Sequence, residues 1–129
     1  MQRLESFARR IAVVAVAACA CASAIAQDYP IRPLRLIVPF AAGGATDLLS
    51  RELGQKLTER LRQQVIVDNR PGAGGVIGLE LGAKAAPDGY TLVMCSSSTL
   101  AIGPALGTKL PYDPIKSFTP ITEAAVIPV

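Results

Sequence analysis

The sequence predicts an α/β fold, with a parallel sheet and flanking helices. Short apolar segments bounded by glycine or proline alternate with longer segments whose leucines or small residues recur at helical spacing. Each apolar segment is followed by a loop rich in glycine or serine. This β-loop-α alternation implies right-handed crossovers, and it therefore favours parallel strands with helices outside the sheet.

Residues 1–26 have the pattern of a cleavable signal peptide. Three arginines, Arg3, Arg9 and Arg10, precede an apolar run at 11–22. Ala-Ile-Ala at 24–26 fits a small-x-small cleavage site. The apolar run is too short to span a bilayer stably. We therefore expect a periplasmic protein that begins at Gln27, with lipidation at Cys19 as the alternative.

The predicted mature chain has almost no net charge. The first 26 residues contain three arginines and one glutamate, which leaves 10 Lys+Arg and 9 Asp+Glu for the remainder. This balance does not indicate a nucleic-acid-binding protein. The chain has no histidine, which excludes a histidine-based triad or zinc site within it. Cys95 ends an apolar segment, and we expect it to be a small buried side chain.

The first predicted strand covers residues 34–40 and the first predicted helix covers residues 46–62. Apart from Arg35, the strand is apolar without alternation, which is typical of a strand buried on both faces. The helix carries leucines every fourth residue between 49 and 61, with charged residues elsewhere. Thr46 is the predicted N-cap, and Asp47 suits the positive end of the helix dipole.

The second half of the domain repeats the pattern. A second strand is predicted at 64–69. It is followed by a glycine-rich loop and by a helix at 76–86, whose small residues would let it pack close to a sheet. A turn at 86–90 leads to a third strand at 91–95, and that strand runs into the sequence SSST at 96–99.

Three unusual loops, at 39–47, 69–78 and 95–99, each follow a predicted strand. The carboxyl ends of parallel strands share one edge of the sheet, so the loops are expected to converge there on a ligand. Main-chain N–H groups of glycines, hydroxyls and a helix N-terminus suffice to bind a small anion.

A self-standing nucleotide-binding domain is the alternative, although the glycine patterns fit it poorly. No G-K-[ST] follows Gly43 and Gly44, and the third glycine of the 72–78 segment is one place late for a dinucleotide fingerprint. Covalent catalysis by a serine is disfavoured because no histidine base exists. The residues themselves therefore indicate a binding protein without metal or cofactor.

Three segments carry a family resemblance that covers residues 29–129: RPLRLIVPFAAGGATD, VIVDNRPGAGGVIGLELGAKAAPDGYTL and KLPYDPIKSFTPIT. In this order they resemble the Bug (TctC-like) family, the periplasmic solute-binding receptors of tripartite tricarboxylate transporters. The resemblance implies a two-lobed Venus-flytrap fold and a non-enzymatic receptor. It also implies a carboxylate-bearing solute, either an organic acid or an acidic amino acid, and delivery of that solute by a monomer to membrane permease subunits.

The resemblance also implies which loop residues contact the solute. The second loop corresponds to 70–78, but Arg70 is expected to form a salt bridge rather than a ligand clamp. Leu100 and Gly103 stand where many family members have histidine and asparagine. For Asp47, helix capping and ligand contact both remain open. The expected ligand-binding residues are Phe40, Ala41, Ala42, Gly43, Gly44, Asp47, Gly72, Ala73, Gly74, Gly75, Ser96, Ser97, Ser98 and Thr99.

The resemblance divides the chain into three parts. Residues 1–26 are the signal peptide, 27–117 are most of lobe one, and 118–129 begin the crossover to a second lobe. Pro111 to Pro114 is expected to be a rigid connection. The crossover is expected to expose its apolar side chains, namely Phe118, Ile121, Val126, Ile127 and Val129.

Overall fold

The computed structural model describes residues 29–126. A three-stranded parallel sheet lies at its centre, with β1 at Leu34–Val38, β2 at Val65–Asn69 and β3 at Thr91–Val93. The strand order is β2-β1-β3, which places the first strand in the middle. The predicted parallel α/β fold is thereby confirmed within the described residues. The signal peptide predicted at 1–26 lies outside them.

Two helices cross between the strands. The first, α1, covers Ala45–Leu61, and the second, α2, covers Val76–Ala83. Both predicted helices exist, but α2 ends three residues before its predicted end at residue 86. The third strand is likewise shorter than the predicted 91–95, because its last ladder bond is donated by the Met94 N–H to the Ile37 carbonyl, 2.9 Å away.

The two helices pack on opposite faces of the sheet. The glycine of α1, Gly54, lies against Val67 of β2, whereas Gly82 of α2 lies against Val93 of β3. Val67 is level with Leu36 of β1, and Val93 is level with Ile37. Because consecutive strand residues point to opposite faces, Val67 and Val93 face different helices. The middle strand is thus covered on both sides, as its largely apolar sequence predicts.

The core on the α1 side consists of Leu34, Leu36, Val38 and Val65, all of them buried. The leucines of α1 flank this cluster rather than fill it: Leu57 and Leu61 are half-buried against it, and Leu48 is 62% exposed. The most buried α1 residues are instead Asp47, Ser50 and Gly54. Small side chains let this helix lie close to the sheet.

The second helix approaches the sheet even more closely, through its glycines. An ideal Cβ on Gly78 would lie 2.7 Å from the Cβ of Pro39 and 2.9 Å from the carbonyl oxygen of Arg70. One on Gly82 would lie 2.4 Å from Cγ2 of Val93. These distances are too short for any side chain, which explains the predicted small-residue character of this helix.

The segment after β3 turns back onto this helix. A helical stretch covers Ser98–Ile102 with π-type turns and continues through Gly103–Ala105. Tyr112 is buried, and its ring meets that of Phe118 edge to face, with centroids 5.6 Å apart. Phe118 is therefore half-buried, contrary to the expectation that it would be exposed.

The rest of this segment agrees better with the sequence. Oδ1 of Asp113 accepts hydrogen bonds from the N–H groups of Ile115 and Lys116, at 2.9 and 3.0 Å, which forms a turn at the end of the predicted connection at 111–114. Ile121 and Val126 are 79% and 74% exposed, as expected. Ile127 and Val129 lie outside the described residues.

Cys95 is exposed, and the prediction of a buried side chain was wrong. The strand ends at Val93, so the chain has already left the sheet where Cys95 stands. Within residues 29–126, no helix has both the length and the apolar character needed to cross a membrane.

We predict that Gly78→Ala destabilises the domain by about 1–3 kcal/mol, the usual cost of overpacking a close contact. The added methyl would meet backbone atoms of Pro39 and Arg70, which cannot move without shifting β1 or the second loop. Denaturant unfolding monitored by circular dichroism measures the effect.

The matched control is Gly54→Ala in α1, where the nearest heavy atom to the new Cβ would be 3.5 Å away. That change should be neutral or should stabilise by up to about 1 kcal/mol, because alanine is the better helix former. Equal losses of stability in both variants would contradict the close approach of α2.

Candidate functional site

The three loops that follow the strands meet at one edge of the sheet, as predicted. An ideal Cβ on Gly75 would lie 2.9 Å from Cγ2 of Thr99 and 3.5 Å from Cβ of Pro39. These three residues belong to the loops after β2, β3 and β1. Gly75 also has φ +101°, so both its conformation and its surroundings require glycine. One glycine thus allows all three loops to touch.

Loop one, residues 39–44, is held by the side chain of Asp47. This residue is only 2% exposed. Its Oδ2 accepts hydrogen bonds from the N–H of Gly43 and from Nε of Arg51, each at 2.9 Å. Its Oδ1 accepts one from Nδ2 of Asn69, also at 2.9 Å. The carboxylate therefore acts as the centre of a cluster, and both of its oxygens are engaged by the protein itself.

Asn69, the last residue of β2, ties loop one to the sheet. Its Nδ2 also donates to the carbonyl of Phe40, at 3.1 Å, and its Oδ1 accepts from Arg51, at 3.2 Å. Together, Asp47, Arg51 and Asn69 fix loop one at its beginning, Phe40, and at its end, Gly43. We call these three side chains the loop anchor.

The loop anchor changes two expectations about the start of α1. Gly44, not Thr46, occupies the N-cap position, and the cap residue makes no side-chain hydrogen bond. The N–H of Gly43 is already used by Asp47, so it is not free to meet a ligand. The first N–H groups of a helix have no intrahelical acceptors, which leaves those of the first turn, beginning at Ala45, as the donors of this loop.

The ionised form of Asp47 is strongly favoured. Hydrogen bonds from Arg51, Gly43 and Asn69 lower the pKa of its carboxyl to about 2 from its ordinary 3.8. The same contact raises the pKa of the Arg51 guanidinium. The pair contributes no net charge, so the partial positive charge of the helix N-terminus is not cancelled.

Loop two, residues 70–75, places backbone N–H groups beside loop one. Gly72, Ala73, Gly74 and Gly75 all have positive φ, and three of the four are glycines because such angles are costly for other residues. A single turn of 3₁₀ helix at Ala73–Gly75 then leads directly into α2. Successive amides in such a conformation form a concave surface that suits an anion.

Arg70 faces away from this concavity. Its Nε lies 2.9 Å from Oδ1 of Asp68, whose other oxygen is paired with Arg35. The predicted salt bridge is confirmed. These residues, with Ile66 and Pro33, border a separate cavity of about 270 Å³ on the β1–β2 side of the sheet.

Loop three, residues 94–99, presents hydroxyl groups. The Oγ atoms of Ser96 and Ser98 lie 2.7 Å apart, and Ser97 and Ser98 are exposed. Thr99 is only 5% exposed, and its hydroxyl donates to the carbonyl of Ser96 at 2.8 Å. Thr99 therefore supports the loop from beneath, while the serines face outward. The predicted loop at 96–99 is in fact helical from Ser98 onward.

Arg51 and Asn69 were not among the residues predicted from the sequence. The signal for Arg51 was present, since an acidic residue four positions before a basic one on a helix forms an ion pair. Asn69 gave no such signal, because its partners Asp47 in α1 and Phe40 in loop one are 22 and 29 residues away. Among residues 29–126, no group of three or more potential ligands could hold a metal ion.

Comparisons with known proteins agree with the resemblance. The family model described as tripartite tricarboxylate transporter family receptor, TctC, matches residues 49–129. Protein BugT of Bordetella pertussis is 42% identical over 125 residues, which are 94% of this chain and 38% of that protein. This chain therefore spans less than two fifths of the length of that curated relative.

Two solved structures share the fold. MatC from Rhodopseudomonas palustris with bound malate has a TM-score of 0.68 at 40% sequence identity, over 71% of this chain and 31% of that chain. A second R. palustris protein with adipate has a TM-score of 0.55 at 38% identity, over 57% and 24% of the respective chains. In both cases the match covers less than a third of the longer chain.

We predict that the loop anchor makes folding stability sensitive to acid. Because the carboxyl of Asp47 has a lower pKa in the folded chain than in the unfolded chain, its contribution is complete above about pH 4 and is lost as the pH falls towards 2. The difference in free energy of unfolding between wild type and Asp47→Asn should therefore shrink over this range. Urea unfolding at a series of pH values measures it.

The matched control for this prediction is Glu52→Gln. Glu52 lies on the same helix, and its side chain is 67% exposed in a loose pair with Lys56, 3.4 Å away. The difference in free energy of unfolding between wild type and Glu52→Gln should vary much less with pH. A constant difference between wild type and Asp47→Asn from pH 6 to pH 2 would contradict the buried, ionised anchor.

Proposed function

This chain belongs to the TctC family of tripartite tricarboxylate transporter receptors, and from that premise we propose that it captures a small carboxylate-bearing solute. The observation that carries the proposal is the junction of three glycine- or serine-containing loops at the carboxyl edge of the sheet, where Gly75 lies against Pro39 and Thr99. Family membership favours this reading over the nucleotide-binding domain that the glycine patterns alone left open.

The site supplies hydrogen-bond donors rather than a formal charge. The first-turn amides of α1 and the amides of loop two carry partial positive charge, and a carboxylate has the oxygen acceptors to match them. The serine hydroxyls of loop three donate from the third side. Charge-assisted hydrogen bonds of this kind are stronger than neutral ones, so a few of them orient a small anion.

We assign different roles to the predicted ligand-binding residues. Direct contact is proposed for the exposed and half-buried positions of the three loops, and support from beneath for Asp47, Gly43, Gly75 and Thr99, whose polar groups are engaged within the protein. The direct set consists of Phe40, Ala41, Ala42, Gly44, Gly72, Ala73, Gly74, Ser96, Ser97 and Ser98.

The chemical class of the solute follows from the neighbours together with the site. Malate is bound by one structural neighbour and adipate accompanies another, and both are aliphatic dicarboxylates. A small organic acid or acidic amino acid is accordingly the proposed solute of this chain. We propose no catalytic step, because nothing in the loop edge pairs a nucleophile with a base.

The proposed setting is the periplasm. Removal of residues 1–26 as a signal peptide would release the receptor there, and the permease subunits of the transporter would accept the solute from it as from a monomeric carrier. Intact-mass measurement of the exported protein tests the first step, since cleavage after Ala26 and lipidation at Cys19 give different masses.

A ligand panel tests the binding function itself. Calorimetry with malate, adipate, citrate, glutamate and, as the opposing class, ATP and NAD should give heat only with acids of the first group. The sample is the complete receptor polypeptide that carries this sequence. Binding of a nucleotide without any of the acids would overturn the proposal in favour of the alternative.

We predict that Gly44→Val lowers affinity for the best acid of this panel by at least about 100-fold, the equivalent of two to three hydrogen bonds of about 1 kcal/mol each. Gly44 has φ −78° and ψ 168°, which valine adopts without strain, and the nearest atom to a new Cβ is 3.6 Å away. The branched side chain would block the amides of the first turn while the fold persists.

The control for Gly44→Val is Ala86→Val, an exposed position before β3 and therefore at the opposite edge of the sheet. It creates the same branched side chain, with two added carbon atoms rather than three, and should leave affinity unchanged. Wild-type affinity in Gly44→Val would show that loop one is a simple turn and that the acid binds elsewhere.

A further inference from the structure

Arg51 is a long side chain on the second turn of α1 that reaches back towards loop one. It is 53% exposed, yet its guanidinium is held at two points, 2.9 Å from Oδ2 of Asp47 and 3.2 Å from Oδ1 of Asn69. One arginine therefore joins the carboxylate that holds Gly43 to the amide that holds Phe40.

The position of Asp47 raises an electrostatic problem for an anion site. Its carboxylate lies in the first turn of α1, beside the amides on which a carboxylate solute would have to sit. A negative charge there cancels the positive end of the helix dipole and repels a second anion. Because hydrogen bonds lower the pKa of the Asp47 carboxyl to about 2, its negative charge is present at neutral pH.

Arg51 removes this problem without touching the solute. Its charge compensates that of Asp47 through a direct hydrogen bond, so the amides keep their attraction for an anion. The exposed pair of Lys56 and Glu52, one turn further along the helix, makes no contact with loop one and offers no such compensation.

We propose that Arg51 is a positioning and charge-compensating residue of the carboxylate site, acting through Asp47 and Asn69. This inference rests on the proposed function. It assigns to Arg51 two effects: it keeps the first turn of α1 attractive to anions, and it holds both ends of loop one in place.

The test uses malate, adipate and citrate as probes with the complete receptor polypeptide, in calorimetry at low ionic strength. Arg51→Gln should weaken binding of the tightest of these acids about tenfold, the upper range for one charge at a helix terminus. Lys56→Gln removes the same charge from an exposed site on the same helix and should change affinity less than twofold. Raising the salt concentration should narrow the gap between Arg51→Gln and wild type.

A double variant separates compensation from direct contact. In Asp47→Asn/Arg51→Gln both charges are gone, and the amide oxygen of the new asparagine can still accept the N–H of Gly43. Affinity should recover most of the loss seen in Arg51→Gln, since the uncompensated charge is gone and only the bridge to Asn69 is still missing. If the guanidinium itself bound the acid, the double variant would stay as weak as Arg51→Gln, which would overturn the proposal.

Arg51→Lys supplies a further check that does not depend on the double variant folding. A lysine keeps the charge beside Asp47 but cannot bridge to Asn69 with the same planar geometry. Its affinity should lie between those of wild type and Arg51→Gln.

The two proposals fail in different ways. If wild type binds none of the three acids, the proposed function falls, and this inference falls with it. If wild type binds and Arg51→Gln matches Lys56→Gln, the proposed function stands and the role of Arg51 is wrong.

Discussion

The loop edge depends on the buried carboxylate of Asp47. A carboxylate that is 2% exposed is tolerated only when its oxygens are paired, and here three donors from three different parts of the chain meet them. The N–H of Gly43 comes from loop one, Arg51 from the helix, and Asn69 from the end of β2. Folding of the sheet, the helix and the loop is therefore required before this carboxylate is satisfied, and the satisfied carboxylate in turn fixes the loop.

A second constraint sets the distance between loops one and two. Gly78 and Gly82 bring α2 so close to the sheet that a methyl group would meet Pro39 or Val93. Because loop two leads directly into α2, the depth of the helix also determines how close the amides of loop two lie to loop one. The packing of α2 on one face of the sheet positions loop two, and the hydrogen bonds of Asp47 on the α1 side position loop one. Both loops lie at the same edge of the sheet.

Local pattern was sufficient to predict the elements and the edge at which the loops meet. The apolar residues of β1 and the leucine spacing of α1 are patterns among residues close in sequence. Such patterns can be recognised in a single sequence. The ends of β3 and α2 were misplaced, since they are decided by the Met94 bond to Ile37 and by packing. Cys95 was misjudged for the same reason: nothing local shows that the strand has ended before it.

The loop anchor was harder to predict because it is a tertiary arrangement. Asp47 could be read as a helix-dipole residue from its position, and that reading was correct as far as it went. Its partnership with Asn69 joins residues that are 22 apart in sequence, and it required knowledge that β2 lies beside β1. The loss of Gly43 as a free donor follows from the same contact, so the ligand set could not have been refined by sequence pattern.

The proposed site also explains which part of a solute the loops can distinguish. Main-chain amides form hydrogen bonds to a carboxylate group but do not contact the carbon skeleton attached to it. Backbone N–H groups therefore cannot distinguish acids by chain length or polarity. Malate and adipate, seen with two structural neighbours, share their two carboxylates but differ in chain length and in one hydroxyl group. We propose that this difference is distinguished by the side chains of Phe40, Ser96, Ser97 and Ser98, which offer an aromatic surface and three hydroxyls. In this proposal the amides of Gly44, Ala45 and loop two set the class of solute, and the four side chains select its identity from this side of the site.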